Sequence, residues 1–271
     1  MTMPSLAVTR SGTGAPLVLL HGIGSSRRAW DPVLPLLAAQ FDVIAVDLPG
    51  FGDSAPIPNQ PEVTPAALAE SVADLLDELG VTAPHLAGNS LGGWVALELA
   101  ARRPVASIAL LSPAGLWRRG APRYDRISLQ ASRWLARHAT RPLSRLVQTK
   151  LGRLLVLGQT HGRPTRLTPG YARTAVEALG RCPGFEAAMA GAARRHFQAT
   201  VTGPETAPVT VAFGSRDLLL RRAARHLDQL PPGARTDSLP GCGHVPMADD
   251  PGAVAALITR AAARRPRSAD Y

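Results

Sequence analysis

An α/β fold, with a mostly parallel central sheet flanked by helices and an inserted helical cap, is what this sequence predicts. Three observations lead there. Short apolar runs ending in glycine or proline alternate with stretches of helical spacing, as in parallel sheets covered on both faces. The alternation stops after residue 116 and resumes near 205. The residues between read as helical, and a structureless loop of that length is implausible, so they predict a subdomain of their own. The expected division is therefore a core of residues 1–116 and 205–271 and a helical cap of residues 117–204.

The elements follow in order. APLVLLHG (15–22) and FDVIAVDLPG (41–50) read as buried strands closed by turns. Thr64 suits a helix cap and Pro65 the first helical position; Leu68, Val72, Leu75, Leu76 and Leu79 recur at helical spacing, and Gly80 stops the run. VTAPHLAGN (81–89) predicts a strand, Leu91 to Arg103 a helix and VASIALLS (105–112) a strand. Within the insertion, Leu143, Leu146, Val147, Leu151, Leu154 and Leu155 predict one apolar stripe, with Arg145, Lys150 and Arg153 off it. APVTVAFGSRD (207–217) returns to strand, Leu218 to Leu230 predicts a helix, residues 234–244 strand and loop, and Pro251 to Ala263 a last helix. ARRPRSADY reads as a tail.

Composition narrows the function classes. With 271 residues, 45% hydrophobic and 18% charged, the chain can bury a sizeable core. No apolar run approaches a membrane span, and the first residues lack a basic segment followed by an apolar one, so a cytoplasmic location is expected. Cys182 and Cys242 are the only cysteines and are expected as reduced thiols. No His/Cys spacing points to a metal, and no cofactor is expected. The net charge of +10 is concentrated: residues 117–200 hold 16 basic and 3 acidic side chains, whereas the rest of the chain holds 14 and 17. No nucleic-acid motif accompanies that charge, so nucleic acid is not an expected partner.

The chemistry starts at Gly88-Asn89-Ser90-Leu91-Gly92, a G-x-S-x-G between a strand and a helix. Glycines on either side let the chain turn tightly and project Ser90 at a helix N-terminus. A serine hydroxyl attacks carbonyls only with a base, a group to orient the base, and donors for the oxyanion. Of seven histidines, His244 in GCGHVP has both a strand-end position and a loop to hold it. Asp217 directly follows the strand VTVAFG, and Ser90, Asp217, His244 stand in the chain order this architecture uses. Asp249 and Asp250 are expected to cap the last helix, which leaves Asp237 as the competitor. HGIGSS (21–26) follows the first apolar strand and offers the Ile23 N–H, with that of Leu91, as an oxyanion hole. His21 is expected to anchor that loop.

In these segments, HGIG, DLPGFGDS, GNSLGGW, FGSRD and GCGHVP, the sequence resembles the α/β-hydrolase fold superfamily, in its capped branch. The resemblance covers residues 14–117 and 206–263. It implies Ser90 as nucleophile, Asp217 as acid, His244 as base, and Ile23 and Leu91 as oxyanion donors. Serine at the nucleophile position departs from haloalkane dehalogenases and epoxide hydrolases, which use aspartate there. GNSLGG is similar to the meta-cleavage carbon–carbon hydrolases, but Val245 stands where those have tryptophan after the base. Asn89 stands where perhydrolases have phenylalanine.

The expected function is a carboxylic ester, thioester or lactone hydrolase acting on a small acyl substrate through an acyl-enzyme. The alternatives are carbon–carbon bond hydrolysis, acyl transfer, or a non-catalytic ligand-binding member of the fold. Trp117, Trp134 and Phe197 are the cap side chains expected to line the substrate. For the basic cap, three readings compete: biased composition on a solvated face, attraction of an anionic substrate or acidic carrier protein, and contact of residues 129–158 with a lipid surface.

Overall fold

The computed structural model describes residues 5–198, 207–230 and 233–264. A seven-stranded sheet runs through it: β1 (Val8–Ser11), β2 (Ala15–Leu20), β3 (Phe41–Val46), β4 (His85–Asn89), β5 (Ser107–Leu111), β6 (Val209–Gly214) and β7 (Arg235–Leu239). The strand order is β1-β3-β2-β4-β5-β6-β7, with β1 antiparallel to β3 and every other pair parallel. Strands β2 and β4 pair with Leu20 opposite Gly88, and successive strands are added outward on either side of them. That is the topological switch point, where open parallel sheets place their sites beyond the strand ends.

Helices cover both faces. α1 (Leu34–Ala38) and α9 (Pro251–Ala262) share one core with Leu17, Leu19, Val43 and Leu111. α2 (Pro65–Glu78) and α3 (Leu91–Ala100) share the other with Val18, Leu20, Ile44 and Leu110. Successive strand residues thus enter opposite cores, so each central strand is buried on both sides. The helix signals act as read: the Ala67 N–H donates to Thr64 Oγ1 at 3.1 Å, and Gly80 ends the run at φ +66°.

Five helices lie between β5 and β6: α4 (Arg123–His138), α5 (Thr140–Leu146), α6 (Lys150–Leu157), α7 (Pro169–Arg181) and α8 (Phe185–Ala193). The boundary expected at 204/205 and most of the tail lie outside the described residues. α7 packs on α4 and α5 around a small cluster of Val147, Leu157, Leu167, Ala172 and Val176.

Two expectations are corrected and one strand is added. The stripe of residues 143–155 is not one buried face: Val147 is buried, but Leu146, Leu151, Leu154 and Leu155 are exposed, and Arg153 is buried with Nη1 on the carbonyls of Val147 and Gln148. The helical phase breaks at Thr149, which caps α6 by accepting from the Gly152 N–H. Residues 218–230 form no α-helix, only 3₁₀ turns at Arg222–Ala224 and Leu227–Gln229. Their backbone is diverted: the Leu219 and Leu220 N–H groups go to Asp217, Arg225 takes the Leu220 carbonyl, and the His226 N–H goes to Leu116. Finally, β1 had no alternating apolar signal and was not expected.

Candidate active site

Ser90 stands between β4 and α3 at φ +53°, ψ −117°, a conformation that costs a non-glycine residue about 1–3 kcal/mol. Close packing enforces it. A Cβ on Gly88 would lie 2.3 Å from the Gly92 carbonyl oxygen, and one on Gly92 would lie 2.2 Å from that of Leu20. Only glycine at both positions lets α3 start directly against β2 and β4. The Ser90 side chain makes no capping hydrogen bond to α3, so the helix does not explain the serine.

The loop after β2 crosses beside it: a Cβ on Gly22 would meet Ser90 Cβ at 3.1 Å. His21 fixes that loop. Its Nδ1 lies 2.8 Å from the Gly22 carbonyl oxygen, and its Nε2 accepts the Leu48 N–H at 3.1 Å. Burial pushes its pKa down, and with both nitrogens engaged it is an anchor. Asp47 completes the rim by accepting the N–H groups of Arg27 and Asp53 and pairing with the Arg27 guanidinium. The N–H groups of Ile23 and Leu91 are donated to no protein acceptor among the described residues.

His244 follows β7 and is buried. Its Nδ1 lies 3.1 Å from Asp217 Oδ2. Asp217 is buried too; its Oδ1 accepts from the Leu219 and Leu220 N–H groups, and Arg225 lies 3.8 Å from Oδ2. Burial opposes the charge on Asp217, but the His244 charge and hydrogen bond and the Leu220 N–H outweigh it, so the carboxyl is held below its ordinary range. Asp237, the competitor, is exposed on β7 and pairs with Arg260. His85 meets Ser107, His138 the Trp134 carbonyl, and His196 the Gln198 amide.

The His244 loop is held by two residues to which sequence reasoning gave no part in it. Asn89 Nδ2 donates to the His244 carbonyl at 2.8 Å and to that of Leu111 at 3.0 Å, joining the residue before Ser90 to the imidazole's backbone. Asp250 caps α9 as expected, but Asp249 does not: it accepts from the N–H groups of Gly243, Gly162 and Arg163, pinning the loop after α6 to the histidine loop. The Val245 N–H donates to the Thr160 carbonyl in the same seam. Neither role has a spacing signature, because each partner is more than 80 residues away or a main-chain group.

The structure also adds Asp125, the only carboxylate between Glu98 and Glu177. It is buried in the first turn of α4 and feels the charges of His244, Asp217 and Arg221. Burial raises its pKa to about 6, with His244 opposing the shift and Asp217 adding to it. A carboxyl with a raised folded value destabilises the fold once it is charged. Asp125→Asn should therefore raise Tm at pH 8 and lose that advantage below about pH 4, where the unfolded group is protonated as well. Thermal melts of both chains across pH check this.

The three residues expected to line the substrate differ in exposure. Trp117 and Phe197 are buried in the main core, Trp117 edge-on to Trp94 with its Nε1 donating to the Arg195 carbonyl. Trp134 is 63% exposed on α4, against His138. Trp94, the ring partner of Trp117, donates its main-chain N–H to the Ser90 carbonyl at 3.2 Å. Cys182 and Cys242 are free and buried.

A mostly parallel seven-stranded sheet covered by helices on both faces, in this strand order, is the architecture of α/β hydrolases. The chain belongs to the alpha/beta hydrolase family, whose sequence model matches residues 17–257. It is 34% identical over 206 residues to an epoxide hydrolase, EphH, of Mycobacterium tuberculosis, covering 72% of this chain and 92% of that protein. That likeness reaches a protein named for a chemistry the serine seemed to set apart. The chain is 46% identical over 105 residues to the dihydrolipoyllysine-residue acetyltransferase component of the acetoin cleaving system of Pseudomonas putida, covering 38% of this chain and only 28% of that protein. A solved esterase from a Rhodococcus species superposes with a TM-score of 0.71 at 27% identity, covering 97% of this chain and 96% of its own. No helix among the described residues is long and apolar enough to cross a membrane.

Proposed function

We propose that this hydrolase cleaves a carboxylic ester, or a thioester or lactone, through an acyl-enzyme on Ser90. The observation that carries the reading is the His244–Asp217 pair at 3.1 Å, tied through Asn89 to a serine held at φ +53°. With Nδ1 committed to Asp217, His244 is left with Nε2 to take the Ser90 proton as Oγ attacks the carbonyl carbon. The Ile23 and Leu91 N–H groups hold the resulting oxyanion, aided by the N-terminal dipole of α3. Collapse expels the alcohol, which receives the proton from His244. Water, deprotonated by the same imidazole, then releases the acid. The Ser90 hydroxyl makes no hydrogen bond among the described residues, and catalytic contacts of this kind tighten when substrate binds. The described residues of the insertion, 117–198, are read as the cap over this site.

The relative's name raises epoxide opening as a second reading. Attack by a serine oxygen on an epoxide carbon would give an ether. An ether has no carbonyl for water to attack, so the enzyme would stop after one turnover. A carboxylate nucleophile gives a hydrolysable ester instead, and position 90 holds serine. Carbon–carbon hydrolysis and acyl transfer would use the same groups on a different bond or acceptor.

The test is a fluorophosphonate probe followed by peptide mass spectrometry. A single adduct on Ser90, with matching loss of p-nitrophenyl butyrate turnover, is the expected result. Retained turnover by fully labelled protein, or labelling elsewhere, would overturn the reading. Styrene oxide run in parallel should show no steady-state turnover.

A further inference from the structure

The helices α4 and α6 carry an apolar surface that no described residue covers. On α6, Leu151, Leu154 and Leu155 are 64%, 47% and 70% exposed, and their spacing puts them on one strip. On α4, Ile127 is 65% exposed, and Leu135 and Trp134 are exposed two turns on. The two helices run antiparallel: α5 joins them at one end, and at the other Gln159 Nε2 donates to Tyr124 Oη at 3.1 Å and to Ser128 Oγ. The two strips thus belong to helices linked at both ends of the same unit. Isolated exposed leucines need no explanation, but six large apolar side chains exposed on two linked helices mark a contact surface.

Its charge selects the occupant. Residues 123–158 hold eight basic side chains and one acidic one. Arg123, Arg141, Arg145 and Lys150 are exposed, and none has an acidic partner among the described residues. The lone acid, Asp125, is buried away from this face. An apolar strip flanked by long basic side chains, with Trp134 and Tyr124 at its border, fits the boundary of an anionic bilayer. There leucines enter the acyl region while the cationic ends meet the headgroups.

The candidate active site meets this face at one edge. Asp125, which feels the His244 charge, is flanked by the exposed Tyr124 and, two residues on, by Ile127. Arg221 stacks on the Tyr124 ring at 4.6 Å, and Leu218, directly after Asp217, is 54% exposed. We infer that the α4–α6 face docks the protein on an anionic lipid surface with the mouth of the site turned toward it, so that an amphiphilic ester enters from the lipid. The choice of ester, though not the docking, rests on the serine-hydrolase reading.

Flotation of the full chain with vesicles tests it. The protein should float with phosphatidylcholine vesicles containing phosphatidylglycerol, and about tenfold less with phosphatidylcholine alone or at about 0.5 M NaCl. Leu151→Glu/Leu155→Glu should lose flotation by about tenfold while its circular dichroism and its turnover of soluble p-nitrophenyl acetate stay at the parent level. Arg141→Glu/Arg145→Glu should lose it as well. Ser90→Ala should float like the parent, so an error about the nucleophile would leave the docking result standing. Absence of flotation, or equal flotation by the double variants, would overturn the inference. So would gel filtration showing a dimer that the leucine variant dissociates, because the face would then belong to a second copy of the chain.

Discussion

Ser90→Ala is expected to lower kcat/KM for p-nitrophenyl butyrate by at least about 10⁴-fold, while the chain stays folded. The covalent step needs an oxygen that His244 can deprotonate, and a methyl group supplies none. What remains is binding and oxyanion stabilisation by the N–H groups of Ile23 and Leu91, which other enzymes retain when the nucleophile is removed. The competing account makes Ser90 an ordinary helix cap, yet its side chain bonds no N–H of α3, so alanine would change little on that account. Ser90→Gly separates chemistry from strain. It should be as inactive as alanine but more stable by about 1 kcal/mol in urea, because glycine adopts φ +53° without penalty. An active alanine variant would remove the acyl-enzyme; a glycine variant no more stable than alanine would remove the strained elbow.

The turn at Ser90 was legible because its geometry requires particular residues. A Cβ at Gly88 or Gly92 would lie 2.2–2.3 Å from a carbonyl oxygen, and such close approach leaves a sequence signature. The strands were legible for a similar reason: buried on both faces, they read as unbroken apolar runs. Other parts had no local signature. The 218–230 run, LLLRRAARHLDQL, is rich in helix formers, but Asp217 takes its first N–H groups, and that depends on a strand end rather than on the run itself. The 143–155 stripe has helical spacing, but the break before α6 turns most of it to solvent. Periodicity reports that a face exists; it does not report what covers it. Asp249 looked like a helix cap because it sits one residue before one. Its true partners, Gly162 and Arg163, are brought to it only by the fold.

Asp217→Asn should cost about 10³–10⁴-fold in kcat with a smaller change in KM. The carboxylate accepts on both oxygens: the Leu219 and Leu220 N–H groups on Oδ1 and the imidazole Nδ1–H on Oδ2. An asparagine has one acceptor and one donor. If its oxygen meets the two N–H groups, its NH₂ faces Nδ1 and selects the tautomer with the proton on Nε2, where it cannot accept from Ser90. If its oxygen faces the imidazole, the NH₂ opposes two backbone donors in a buried pocket, and the loop after β6 must shift. Either way the base is lost or misplaced. Stability follows the same carboxylate. Its pKa is held below the ordinary range in the folded state, so its contribution is fully present above the unfolded value of about 3.9 and is lost as pH falls through the folded one. The parent should therefore lose Tm between about pH 5 and its acid unfolding more steeply than Asp217→Asn does. An asparagine variant that keeps parental kcat would show that some other group orients His244. Equal acid slopes for the two chains would show that Asp217 is not held in its charged form.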